Sequence, residues 1–408
     1  MKLTSVDRLF VCYIPSLDIR RINKDDTPYM DSLLKSYSWG NMTTLTETNL
    51  IPTLITGTYP HVNGYSQVKL KENIDPSKRL SVDRLPDWLT STAQCFIHLF
   101  TGSFDLAAVP TRRRRFFDIT RTKYIPEQTA IDRIAVNAPT IFNIVGYEKS
   151  RWIFSRKFHK LKGLIPSLCS VRNQLELFEI YALDVIAHWN LDHDGIMRKY
   201  YRQVDVLVKQ IHEKCRRNNY TFLLFSDHGQ EPVKETIDIK KKLKRLNVKP
   251  TEYLFFIDAI KARFWFFTEK AKKEITALLA SIPHGKMLTH KDFHAYHIKF
   301  SDTRFGDTFF LADPGFIFFP HDFHHPLANI FMGFDRQQYR RLISPHQKGY
   351  HGYLPAHGCD HGFVLVADNR YKIQRDMEII DFAPSILELL GLQKTSLMRG
   401  KCIITEDK

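Results

Sequence analysis

No CxxC pair occurs in this sequence, and its six cysteines are scattered. That excludes a disulfide framework or a structural zinc knuckle and predicts free thiols in a reducing cytoplasm. No apolar run approaches the roughly 20 residues that a membrane span needs. The most aromatic stretch, "YLFFIDAIKARFWFF" from 253 to 267, is broken by Asp258, Lys261 and Arg263. The N-terminal "MKLTSVDRLFVCYIPSLD" has too short an apolar segment for a secretory leader and no small-residue cleavage site. No internal repeat is visible. What is present is a chain of 408 residues, 43% hydrophobic and 13% aromatic, enough for a large core domain with a smaller one. Its formal charge of +15 favours anionic partners without choosing among them. The basic runs "TRRRRFF" (111–117) and "KKKLKRLNVK" (240–249) read as solvated faces, with contact to an anion or a membrane surface as the alternative. They lack interleaved aromatic platforms and any recognition motif, which disfavours nucleic acid. The sequence does not set the oligomeric state.

Short apolar runs alternate with helical patterns, which predicts an α/β fold around a mostly parallel sheet. "RLFVCYI" (8–14) reads as a first strand buried on both faces. "LFEIYAL" (177–183) and "YTFLLFS" (220–226) read as further strands. Apolar residues at 196, 200, 204, 207, 208 and 211 have helical spacing and predict a helix over 195–218. "FAPSILELLG" (382–391) reads as a short helix, with Pro384 in its first turn and Gly391 past its end. Between 251 and 300 the pattern changes to "YLFFID", "ARFWFF", a helical "EKAKKEITALLASI" and "YHIKF". This predicts a small inserted α+β cap at 251–300, with 1–250 and 301–408 forming the core.

In open α/β sheets ligands gather at the carboxyl ends of strands. After the run at 177–183, Asp184 and His188 are four apart, so on a helical turn they share one face. The run at 220–226 ends directly on Asp227 and His228. Downstream, "KGYHGYLPAHGCDHG" offers His351, His357 and His361 in a glycine-rich loop; the last two read as loop histidines. A mixture of carboxylate and imidazole suits zinc or manganese better than calcium or magnesium. Each group alone is ordinary in a chain with 18 histidines; their recurrence at successive strand ends carries the signal. A further segment, "TTLTETNLIPTLITGTYPHVNGY" (43–65), has threonines ahead of a short helical run that stops at Gly57. A hydroxyl there would sit in the positive end of the helix dipole; the ordinary role is an N-cap.

In chain order these segments resemble the alkaline phosphatase superfamily, in particular its type I phosphodiesterase/nucleotide pyrophosphatase branch. "DTPYMDSLL" looks like the family's "TPNLDRL", and "PTLITGTYP" resembles its TG-x-x-P segment. "LDVIAHWNLDHDG" is similar to its D-x-x-x-H motif, "SDHG" to its D-H pair, "GYHGY" to its G-x-H-G motif, and "IIDFAPSILELLGL" to its closing helix. The resemblance implies a three-layer sandwich and two divalent metal ions, one held by Asp184, His188 and His351. The second would be held by Asp227, His228, a threonine nucleophile and an N-terminal aspartate. The threonine would attack phosphorus in line, and water would hydrolyse the resulting phospho-enzyme. The substrate implied is an anionic phosphate-containing small molecule: a phosphodiester, or a nucleotide or sugar-nucleotide pyrophosphate.

Three positions depart from the family's pattern, one of them Asn63-Gly64 where the family often has "HG" after the proline. Its first strand ends in "DG"; here the strand runs into "IPSLD", and Asp18 is the nearest carboxylate. Counting back ten residues from Gly57 lands on Glu47, between Thr46 and Thr48. Pro52 is tolerated only near a helix start, which favours Thr48 as the cap and nucleophile over Thr46. The Cys or Ser followed by Pro and Arg that sulfatases use does not occur at 43–57. The alternatives are a phospho-group transferase or phosphomonoesterase of the same superfamily, or a ligand-binding pseudo-enzyme.

Overall fold

Every residue of Leu9–Tyr13, the first strand (β1), is buried. Leu9, Val11 and Tyr13 enter one apolar cluster, while Phe10 and Cys12 enter another. Alternate side chains thus feed two cores, which requires cover on both faces of the sheet. The computed structural model describes residues 3–46, 49–65, 68–75, 84–101, 109–119, 136–298, 303–374 and 376–407. Two compact units divide the chain: 1–65, 125–231 and 355–408 form the first, and 66–124 and 232–354 the second.

The first unit is built on a seven-stranded sheet. Besides β1 its strands are β2 (Ser38–Thr43), β3 (Ser150–Phe154), β4 (Leu175–Glu179), β5 (Thr221–His228), β6 (His361–Val366) and β7 (Met377–Glu378). Their order is β7-β2-β6-β5-β1-β4-β3. β6 runs antiparallel to β2 and β5, and the other pairings are parallel. Helices α1 (Ile51–Thr56) and α4 (Phe382–Leu389) pack into one face, while α2 (Ala182–Asn190) and α3 (Asp194–Arg217) pack into the other. This is the α/β architecture with a mostly parallel central sheet that the sequence predicts.

Two boundaries moved for local reasons. The strand expected over 177–183 stops at Glu179, and α2 begins at Ala182. The alanine- and leucine-containing "ALDVIAHWN" has high helix propensity, so Asp184 falls in the first turn of α2. The helix expected to open near the threonines begins at Ile51 instead, with Leu50 at its cap position and Pro52 in its first turn. Asn49 Oδ1 accepts from the Ile51 N–H at 3.3 Å, so an asparagine does the capping.

The second unit has its own four-stranded antiparallel sheet, ordered Tyr253–Ile257, Lys261–Phe266, Thr308–Ala312 and Gly285–Met287. The segment 251–300 therefore lies inside a larger body, because two of its strands pair with Thr308–Ala312. "YHIKF" is not a strand over 296–298; residues 299 and 300 lie outside the described residues. Thr289 and Asp292 form a reciprocal capping box that starts a helix, His290–Ala295, just before it.

Both basic runs send one cation inward in this unit. Arg113 Nη2 lies 3.0 Å and Lys240 Nζ 2.6 Å from Oδ1 of Asp322, which is fully buried. The Ile257 N–H donates to Oδ2 at 2.8 Å. Burial pushes this carboxyl up, but Arg113 and Lys240 outweigh it and hold it well below the usual carboxylate range. Next to it, burial and then the neighbouring His324 and Lys240 lower His321 to about 3.

Replacing Asp322 by Asn leaves two poorly hydrated cations and lowers stability by about 3–5 kcal/mol, measurable by urea unfolding. Unchanged stability would remove the pairing from this account. His321 is neutral in the fold, whereas in the unfolded chain it titrates near its ordinary value of about 6.5. Its contribution is therefore complete above about pH 6.5 and is lost as pH falls. Between pH 6.5 and 5 the loss approaches about 2 kcal/mol, and a His321→Gln variant should lack that slope.

Candidate functional site

The first unit collects its titratable groups where β1 and β5 end. β5 continues through Asp227 and His228, so the pair belongs to the strand itself and both side chains are buried. The antiparallel neighbour β6 places His361 opposite His228. Gly362 permits that approach, since a Cβ there would collide with the Ser226 carbonyl. α2 leaves the end of β4 and puts Asp184 and His188 on one face, with His188 Nε2 3.5 Å from Asp184 Oδ1.

Ser16 joins the two pairs. It lies in the turn after β1 with φ of 64°, a left-handed conformation that is strained for a residue with a side chain. Tyr201 of α3 holds this turn: its hydroxyl donates to the Ser16 carbonyl at 3.2 Å and accepts from the Asp18 N–H at 2.9 Å. So placed, Ser16 Oγ donates to Asp184 Oδ1 at 2.6 Å and lies 3.5 Å from His228 Nδ1. Gln230 Nε2 donates to both Ser16 Oγ and Asp184 Oδ1 at 2.9 Å.

Asp227 is only half satisfied. Its Oδ2 accepts from the Tyr13 hydroxyl at 2.7 Å, and the Tyr13 ring stacks on Phe225 with centroids 4.5 Å apart. Its Oδ1 is buried, accepts no hydrogen bond among the described residues, and lies 3.6 Å from His228 Nε2. Burial pushes the Asp227 carboxyl up and, with the Asp227 charge, drives the Tyr13 hydroxyl well above its ordinary range. At His228 burial pulls downward, but Asp227, Asp184, the Gly229 carbonyl and Asp360 together raise it. Carboxylates crowd these imidazoles, and a buried acceptor without a donor is costly. This donor set therefore fits a divalent cation.

Asp18 is buried, yet its carboxylate is taken by Arg20, whose Nε and Nη2 donate to it at 2.9–3.0 and 2.6 Å. Arg20 Nη1 also reaches Glu231 at 2.6 Å. The structure thus gives Asp18 a cationic side chain as its partner and puts Ser16 beside the two Asp–His pairs. Thr48 lies outside the described residues, while Thr46 is buried. His351 belongs to the second unit and is buried there, its ring stacked on Tyr350 at 5.7 Å. His357 is exposed in a short turn, and His361 Nε2 lies 3.1 Å from the Pro355 carbonyl. Sequence reasoning missed Ser16, Gln230, Tyr13 and Asp360. Only Gln230, two residues past the D-H pair, carried a sequence cue.

Solved structures share this fold. Human ectonucleotide pyrophosphatase / phosphodiesterase 5 superposes with a TM-score of 0.60 at 15% identity, covering 95% of this chain and 96% of that one. An inactive variant of the murine enzyme, in complex with AMP, gives a TM-score of 0.60 at 14% identity with the same coverage. No curated protein matches the sequence. Residues 16–353, well over half of the chain, match the family type I phosphodiesterase / nucleotide pyrophosphatase. The chain belongs to that family of phosphoric ester hydrolases, within the alkaline phosphatase superfamily.

Proposed function

We propose that this protein hydrolyses a phosphodiester or the pyrophosphate of a nucleotide or sugar nucleotide, in the cytoplasm, with divalent metal ions and a threonine nucleophile. The observation that carries the reading is Asp227 Oδ1, a buried carboxylate oxygen beside an imidazole and, among the described residues, without a hydrogen-bond donor. The family resemblance assigns Asp184, His188 and His351 to one ligand set, and Asp227 and His228 to the core of a second. The second set is the shorter, because Asp18 is committed to Arg20. Zinc and manganese both suit these donors. Bound there, a divalent cation would supply Lewis-acid stabilisation of charge on the phosphoryl oxygens and favour the ionised nucleophile.

The chain's own residues do the rest. Thr48 Oγ attacks phosphorus in line, the bond to the leaving oxygen breaks, and water then cleaves the phospho-threonine ester. Tyr13 fixes the rotamer of Asp227, Gln230 and Ser16 fix that of Asp184, and Tyr201 fixes the turn that carries Ser16. The AMP bound to the murine relative supports a nucleotide as the substrate class.

Metal analysis of the purified protein should find one firmly held divalent ion per chain, with a second that mild chelation removes first. A nitrophenyl phosphodiester should be turned over, and turnover should fall to background in Thr48→Ala and in Asp184→Asn. Metal-free protein, or activity that survives both Thr48→Ala and Thr46→Ala, would sink the mechanism. Tight metal binding without turnover of any phosphoester would favour the ligand-binding reading instead. Tyr13→Phe removes a partner one bond away from the ligand. It should weaken metal affinity by about 10–100-fold in a titration while leaving the fold intact.

A further inference from the structure

The second unit carries an apolar surface that the hydrolytic site does not explain. In the helix Asp87–Thr101, Thr90 and Cys95 are buried, while Trp88, Phe96 and Ile97 stand outward, Trp88 68% exposed. The helix Pro326–Gly333 packs against it, with Cys95 lying at Ala328. The turn Tyr339–Leu342 closes on that second helix so tightly that a Cβ at Gly333 would meet the Leu342 side chain. This second layer again turns large apolar groups outward: Phe331, Phe334 and Ile343, the last two each 74% exposed. Exposed apolar groups gathered on neighbouring elements mark a binding surface, whereas isolated ones do not.

The charges around these groups select the partner. Segments 84–97 and 326–345 hold four arginines against two aspartates, with no lysine or glutamate. One of the aspartates, Asp87, is already paired with Arg112 at 2.5 Å. Of the four arginines, Arg84 and Arg336 are exposed. A second copy of this chain would bring a like-charged rim against itself, which opposes self-association. Tryptophan and phenylalanine beside arginine, on a surface without a spanning helix, is the composition that inserts into the headgroup region of a bilayer. Among the described residues no helix is long and apolar enough to cross a membrane. We infer that these packed elements dock the protein on an anionic lipid surface, with Trp88, Phe334 and Ile343 entering the interface and the exposed Arg84 and Arg336 meeting lipid phosphates.

The test uses the full chain and vesicles of phosphatidylcholine, alone or with 30% phosphatidylserine. Co-sedimentation should be strong with the anionic vesicles, weak with the neutral ones, and reduced at 0.5 M salt. Arg336→Glu should weaken binding by about fivefold or more, and Phe334→Ser with Ile343→Ser should abolish it. Trp88→Ser provides a second apolar probe on a different helix. All are exposed positions, and an unchanged melting curve for each variant would confirm that the fold is intact. Absence of binding to anionic vesicles overturns the inference. So does equal binding by the variants, or a concentration-dependent dimer that the same substitutions dissolve. None of these readouts involves phosphoester turnover, so the inference stands or falls apart from the hydrolytic reading.

Discussion

The buried carboxylate of Asp227 is the constraint around which the first unit is arranged. Tyr13 satisfies one of its oxygens and, among the described residues, nothing donates to the other. In a low-dielectric site such an oxygen costs free energy of the order of a lost hydrogen bond or more, about 1–3 kcal/mol. The surrounding structure keeps it there nonetheless. β5 runs straight into it, β6 covers it by means of Gly362, and Tyr13 stacked on Phe225 pins its rotamer. A site that pre-organises an unsatisfied anion beside an imidazole is built for a cation, and the second Asp–His pair one hydroxyl away repeats the motif.

Much of this was legible because strands and their ends leave plain marks. "RLFVCYI" and "YTFLLFS" are uninterrupted apolar runs, and a strand buried on both faces needs just that. Asp184 and His188 are at helical spacing, and Asp227 and His228 close a strand, so both pairs could be placed from sequence alone. What stayed hidden were residues whose role depends on backbone conformation. Ser16 has no composition signal; it reaches the cluster only because the turn takes a positive φ and Tyr201 grips it. Asp18 looked like the missing ligand because distance along the chain was the only guide. Arg20, two residues on, takes that carboxylate. The helix Ile51–Thr56 opens two residues later than a Thr48 cap implies, where Asn49 accepts from the Ile51 N–H.

Charge was the least readable property. The runs around 112–115 and 240–245 look like solvated basic faces, yet one arginine and one lysine leave them to meet at Asp322 inside the second unit. A run of like charge tells little about which member turns inward. That depends on a single carboxylate some 80 residues away from one run and over 200 from the other. Net charge still carries information at the level of surfaces, where arginines beside exposed aromatics distinguish an anionic partner from a second copy of the chain.

The central claim is that the two Asp–His pairs of the first unit are metal ligands. Anomalous diffraction at the zinc absorption edge, from crystals grown with zinc, tests it most directly. The account predicts density bonded at about 2 Å to Asp184 and His188, and to Asp227 Oδ1 and His228. Zinc bound only at other residues, or Asp227 Oδ1 satisfied by a hydrogen-bond donor with no metal nearby, would contradict it.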